Sequence, residues 1–225
     1  DAQTGMPVAL LFDNGFLTDI RTGAAGAVAA ECLARREITT VGVLGSGVQA
    51  RHQVRCLKEV RPFRRLLAWS PDGIGLESYC AEMRAALGIT ATVASGAAEV
   101  CGEADVLITA TPSREPIVRA EWLKPGLHIT ALGSDTPGKQ ELEAACLRRA
   151  DLVVVDRLSQ CARFGELSHA LRLGLLQESD VWAQLGEIVA GRKSGRTSDD
   201  QITLCDLTGV GFQDTAIAAL AWERV

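Results

Sequence analysis

The stretch that most constrains this chain is residues 39–50, Thr-Thr-Val-Gly-Val-Leu-Gly-Ser-Gly-Val-Gln-Ala. A short β-branched and apolar run passes through Gly45-x-Gly47-x-x-Ala50 into residues 49–60, which read as a helix. Gly45 can take backbone angles closed to other residues, Gly47 has no Cβ to hold a phosphate off the main chain, and Ala50 lets the helix lie close on the strand. A helix beginning there offers unpaired N–H groups and a partial positive charge to an anion. Alone the spacing is a weak signal, because glycine turns also serve packing. The strand before it, the helix after it and a second strand at residues 66–69 together read as the opening of a dinucleotide-binding unit, with Gly45 and Gly47 at the phosphates.

The pattern downstream extends that unit. Strands are expected at residues 66–69, 91–93, 105–110, 127–132 and 152–155, and helices at 75–87, 97–101 and 140–149. Such alternation predicts an α/β fold, a Rossmann-type doubly wound parallel sheet with ligands at the carboxyl ends of its strands. Upstream, residues 6–12 read as a strand entering an Asn14-Gly15 hairpin turn, and the alanine-rich stretch 19–36 as a helix capped by Thr18 or Asp19. A chain that opens on such a hairpin without a starting Met is expected to lack the N-terminal part of a longer protein. Beyond the sheet, helices are expected at 166–176 and 181–190, a polar loop at 191–200, a strand at 201–207 and a closing helix at 211–223, the tail folding back toward the hairpin.

Composition narrows the class. With 225 residues, 47% of them hydrophobic, the chain can bury a sizeable core. A net charge of −5, and no basic cluster beyond Arg61-Pro62-Phe63-Arg64-Arg65, argue against nucleic acid as a partner. No apolar run reaches the roughly 18 residues of a membrane span, and no leader pattern is present, so a soluble protein is expected. The seven cysteines (Cys32, Cys56, Cys80, Cys101, Cys146, Cys161 and Cys205) form no Cys-x-x-Cys pair and lie mostly in apolar or helical segments, as reduced thiols of a cytoplasmic protein would. With three scattered histidines, they show no metal-ligand spacing.

Two charged residues stand where chemistry would be. Arg21, early in the alanine-rich helix, could grip a carboxylate in a two-pronged pair, though composition alone favours a solvated helix arginine. Asp135, in Leu132-Gly133-Ser134-Asp135-Thr136-Pro137-Gly138-Lys139, sits at a strand end in a loop fixed by glycine and proline. It is placed either to move protons beside a nicotinamide or to cap a turn. Lys139 reads as a phosphate or ribose contact, or as a surface lysine.

Five motifs occur in order: Asp1-x-x-Thr4-Gly5-x-Pro7-x-Ala9; Leu17-Thr18-x-x-Arg21-Thr22-Gly23-Ala24; Gly45-x-Gly47-Val48-Gln49-Ala50; Ala110-Thr111-Pro112-Ser113; and Gly133-x-Asp135-x-Pro137-Gly138-Lys139-x-Glu141-Leu142. Together they resemble the ornithine cyclodeaminase/mu-crystallin family over essentially the whole chain. The resemblance implies a two-domain homodimer that binds NAD or NADP and works at the Cα of an amino or imino acid. It implies three parts here: residues 1–36, the end of a substrate and dimerisation domain with its connecting helix; 37–200, the NAD(P)-binding Rossmann domain; and 201–225, a segment returning to the first. By motif position Arg21 would hold the substrate carboxylate near the nicotinamide, and Thr208 would sit near substrate and cofactor. Thr22, Val48, Gln49, Ser70, Thr111, Leu132 and Lys139 would line the dinucleotide, and Asp135 would be the acid/base.

Departures refine the reading. Ser70 stands where cyclodeaminases of the family carry an acidic residue suited to NAD ribose hydroxyls, while Asp72 nearby and the lack of an adjacent arginine lean toward NAD. The ending Asp206-Leu207-Thr208-Gly209-Val210-Gly211-Phe212 is more similar to the ectoine-utilisation and imine-reductase branch than to ornithine cyclodeaminases. An imine reductase or amino-acid-dehydrogenase-like enzyme is therefore expected. Ornithine cyclodeaminase activity and a dinucleotide-binding protein of mu-crystallin type without turnover are the alternatives.

Overall fold

The computed structural model describes residues 1–224. Eight strands make one sheet, and every pairing in it is parallel: β1 (Thr40–Leu44), β2 (Arg65–Trp69), β3 (Thr90–Val93), β4 (Val106–Thr109), β5 (His128–Ala131), β6 (Leu152–Val155), β7 (Ala183–Gln184) and β8 (Thr203–Asp206). They lie in the order β3-β2-β1-β4-β5-β8-β6-β7. The chain leaves β1 in one direction for β2 and β3, then returns to place β4 on its other side, and a crevice opens where the order reverses. Strands β1, β4, β5, β6 and β8 are buried along their whole length; β6 accordingly reads as a continuous apolar run, while β5 and β8 bury His128, Thr130, Thr203 and Asp206 as well.

Helices cover both faces. One core joins α1 (Phe16–Leu33), α2 (Val48–Val60) and α3 (Leu76–Leu87) to one side of the sheet, with Leu33, Val54, Leu57, Tyr79 and Met83 fully enclosed. The other packs α4 (Ala97–Glu103), α5 (Ala144–Arg149) and α7 (Glu166–Arg172) over Leu44, Leu107, Ile129, Val153 and Leu204. Close approach of α1 and α2 depends on small residues: a Cβ on Gly23 would lie 2.9 Å from the His52 carbonyl oxygen, and one on Gly26 would meet the Gln53 amide at 1.8 Å. Gln53 uses that space to donate from Nε2 to the Thr22 carbonyl at 2.7 Å.

The expected opening hairpin does not form. Asn14 and Gly15 both have positive φ, 51° and 86°, as such a turn requires, but the turn leads straight into α1, and residues 6–12 run exposed without a partner strand. The cap of α1 is also earlier than Thr18 or Asp19: Oδ2 of Asp13 accepts the Leu17 N–H at 2.7 Å. Residues 140–143, expected as helix, are extended and bridge to Val118 through Leu142, so α5 begins only at Ala144. The expected helix 166–176 stops at Arg172 and is preceded by an unanticipated helix, α6 (Leu158–Phe164). The stretch 181–190 holds β7 before the short helix α8 (Leu185–Val189). Finally, β8 inserts between β5 and β6, so the sheet takes a central strand from the C-terminal segment that was expected to leave it. The closing helix, α9 (Gly211–Trp222), packs on α1.

Candidate active site

Strand register places the site. Leu44, Trp69, Thr109, Ala131, Asp206 and Val155 form one row across the sheet, so the residues that follow them emerge side by side at its carboxyl edge. From β1 comes the turn at Gly45, with φ 118° and its N–H bonded to the Trp69 carbonyl at 2.8 Å. A Cβ there would come within 2.6 Å of the Ala110 carbonyl oxygen, so this glycine is demanded by the fold. Gly47 is different: nothing lies within 4 Å of where its Cβ would be, and it starts α2 without a side-chain cap. The first N–H groups of α2 therefore face open space, the arrangement a pyrophosphate needs. Ser46 ties this turn to the next strand end by donating to the Ile74 carbonyl at 2.8 Å.

After β2, Ser70 is buried and donates to Oδ1 of Asp72 at 2.8 Å; the Ile74 N–H donates to the same oxygen at 3.1 Å. These hydrogen bonds hold the exposed Asp72 carboxyl below its ordinary range. A fixed carboxylate at this strand end accepts from ribose hydroxyls and repels a phosphate on them, so the residues present fit NAD.

Beside the turn lies a cleft of about 160 Å³ that brings together Arg21, Thr22, Gln49, Leu132, Asp135 and Thr208, six of the residues singled out from the sequence. Arg21 reaches in from α1, only 15% exposed, its Nε on Oδ1 of Asp214 at 2.8 Å and its Nη1 donating to Gln213 Oε1 at 3.1 Å. Thr22 turns its hydroxyl back to the Thr18 carbonyl at 2.8 Å. Gln49 donates to Asp19 at 2.8 Å and leaves a buried Oε1 without a partner among the described residues. Asp135 is half-exposed, with Lys139 Nζ at 2.7 Å from its Oδ1. Thr208 is fixed by Asp156, which accepts its hydroxyl at 3.0 Å and its N–H at 2.8 Å. Val48 borders the open face of the turn, Ser70 stands one strand away, and Thr111 lies behind the cleft wall; none of the three lines the cleft.

The match to known proteins decides what this edge belongs to. The sequence model described as the ornithine cyclodeaminase/mu-crystallin family matches residues 1–225. The chain belongs to this family. Among relatives of this family member, an uncharacterized cyclodeaminase of Sinorhizobium fredii is 44% identical over 223 residues, covering 99% of this chain and 67% of the relative. The Thermococcus litoralis Delta(1)-pyrroline-2-carboxylate reductase, solved with NADH and L-proline, superimposes with a TM-score of 0.95 at 35% identity, over 99% of this chain and 69% of that one. An archaeal alanine dehydrogenase dimer with bound NAD gives 0.92 at 40% identity, over 98% and 68%. The chain thus spans about two thirds of the length of these family members.

Sequence reasoning missed the acids behind the cleft. Glu141, Glu166 and Asp206 are 0%, 0% and 1% exposed. Glu141 accepts the Thr111 N–H at 2.6 Å and hydroxyl at 2.7 Å on one oxygen, and the Gly133 N–H at 2.9 Å on the other. Glu166 accepts the N–H groups of Glu141 and Leu142 at 2.7 and 3.1 Å. Asp206 accepts the Leu167 N–H at 3.0 Å and keeps Oδ1 without a partner among the described residues. Burial first, and for Glu166 and Asp206 also neighbouring carboxylates, pushes all three carboxyls up, Asp206 to about 7. Glu141 is a position of the fifth motif and Asp206 stands in the apolar Cys205-Asp206-Leu207, but neither pattern says which groups the carboxylate binds.

A larger polar cavity, about 810 Å³, opens at the opposite end of the strands beside Arg36, Arg61 and Arg196. Arg196 there donates to carbonyls of Leu33, Gln201, Gly126 and Leu127, so its charge closes loops rather than waiting for a ligand.

Proposed function

We propose that this chain performs NAD-dependent hydride chemistry at the Cα of a small amino or imino acid, as an imine reductase or amino-acid dehydrogenase. The observation that carries the reading is the convergence of Arg21, Asp135 and Thr208 in one cleft beside the open, uncapped start of α2. NAD(H), when bound, supplies or accepts the hydride. Arg21 pairs with the substrate carboxylate; Asp214 and Gln213 hold its Nε and Nη1, and its Nη2 has no hydrogen-bond partner among the described residues. Asp135 gives or takes the proton on the substrate nitrogen, is oriented by Lys139, and exchanges with solvent through its exposed half. Thr208, fixed by Asp156, offers a hydroxyl to the same substrate. Gly47, Val48 and Gln49 take the pyrophosphate, and Asp72, held by Ser70, takes the ribose and favours NAD over NADP. Thr111, Leu132 and Lys139 border the nicotinamide half. The reductase reading is supported by the Thermococcus litoralis relative and its NADH and L-proline. The exposed apolar run at residues 6–12, with Phe12 93% exposed, and the dimer described for the archaeal relative support a homodimer.

The second reading is ornithine cyclodeamination; the Sinorhizobium fredii relative, named an uncharacterized cyclodeaminase, supports the reaction class. The same side chains serve it: the imine at Cα is captured by the substrate's own amine, ammonia leaves, and the hydride returns. Following NADH absorbance with a cyclic imino acid, and separately proline and ammonia formed from L-ornithine, distinguishes the two. Steady NADH loss with the imino acid is expected. Proline from ornithine without net change in NADH would replace the first reading by the second, and cofactor binding without either reaction would leave a mu-crystallin-type binder.

A further inference from the structure

The loops that carry the cleft leave the sheet at Thr111, after β4, and at Gly133, after β5, where the ladder ends and their N–H groups lose strand partners. One buried carboxylate takes both. Glu141 spans the gap with one oxygen on Thr111 and the other on Gly133, and a Cβ on Gly133 would come within 2.4 Å of both the Glu141 carboxylate and the Thr111 carbonyl oxygen. Gly133 is two residues before Asp135, and Glu141 two after Lys139, so this clamp closes the base of the loop that holds the proposed acid/base. Glu166, opening α7, grips the N–H groups of Glu141 and Leu142 and fixes the clamp from behind.

We propose that Glu141 is a positioning residue that sets the spacing of the β4 and β5 strand ends, and with it the placement of Asp135 and of the bound dinucleotide, while Glu166 holds Glu141 in register. The inference rests on the dinucleotide site proposed above. An ionised carboxylate is costly here, since it is fully buried, and apolar side chains fill the same kind of space elsewhere in this core at less cost. What it alone supplies is two acceptor oxygens on a rigid fork, three hydrogen bonds wide. An amide keeps its size but turns a donor toward one of the two N–H groups, so one side of the clamp opens.

The test is NADH fluorescence titration and thermal melting of wild-type protein and of Glu141→Gln, with turnover measured at saturating NADH. Because the substitution removes a buried charge and no volume, the apo protein is expected to melt within a few degrees of wild type. The dissociation constant for NADH is expected to rise about fivefold or more, and turnover at saturation to fall about tenfold, as expected for lost charge-assisted hydrogen bonds. Should Glu141→Gln not fold, Glu166→Gln, which alters the hydrogen bonds to the N–H groups of Glu141 and Leu142, is measured in the same way and expected to move both quantities in the same direction. Wild-type NADH affinity and turnover in the folded variant would overturn the proposal. No NADH binding by wild type would overturn the dinucleotide site itself.

Discussion

At the scale of single residues, two glycines of one fingerprint do different work. Gly45 is fixed by φ 118° and by the Ala110 carbonyl, whereas the Cβ position of Gly47 is open. Gly45→Ala is therefore expected to cost about 2 kcal/mol or more of stability. Gly47→Ala is expected to melt like wild type but to bind NADH at least about tenfold more weakly, because its methyl takes the room of a phosphate; a titration beside a melting curve separates the two. Both positions were legible in the sequence, since the reason for each glycine is local. The roles of Glu141 and Glu166 were not, because a carboxylate that closes two loops draws its partners from residues 30 and 25 positions away.

At the scale of elements, α1 is the part of the site that belongs to no strand. It carries Arg21 and Thr22, and its depth is set by Gly23 and Gly26 against α2. Gly23→Val would drive a branched side chain into the backbone of His52. A loss of roughly 2–4 kcal/mol in denaturant unfolding is expected, with a raised KM for the carboxylate substrate as Arg21 is displaced; an unchanged melt and KM would mean that the contact yields freely. The helix itself was legible from its alanine content, but its start was not: Asn14-Gly15 takes the positive φ its sequence predicts, and the turn then leads into α1 rather than into a second strand. The extended segment 140–143 misled for a related reason, as good helix formers there are held straight by Glu166 and by the bridge to Val118.

At the scale of the whole molecule, the alternation of strands and helices made a parallel sheet legible, while its order was not. A strand from residues 203–206 passes to the centre of the sheet, and nothing local in Thr-Leu-Cys-Asp says so. Its insertion brings Asp206 into the buried acid cluster. The Asp206 carboxyl is raised from 3.8 to about 7, so its contribution to stability is complete below pH 4 and is lost as pH rises toward 7. Asp206→Asn is expected to gain on wild type by about 4 kcal/mol between pH 4 and pH 8 in denaturant melts; a difference constant with pH would contradict that assignment. Burial lowers the His128 imidazole to about 3, so protonation of this ring instead destabilises the fold as pH falls below its ordinary value of 6.5.

Asp135 is proposed to move the substrate's proton while the uncapped start of α2 holds the dinucleotide. The most direct test is the single-turnover rate of NADH oxidation with a cyclic imino acid, in wild type and in Asp135→Asn, alongside NADH affinity. The variant is expected to bind NADH within about twofold of wild type and to oxidise it at least about a hundredfold more slowly. Oxidation at the wild-type rate by Asp135→Asn would contradict that role.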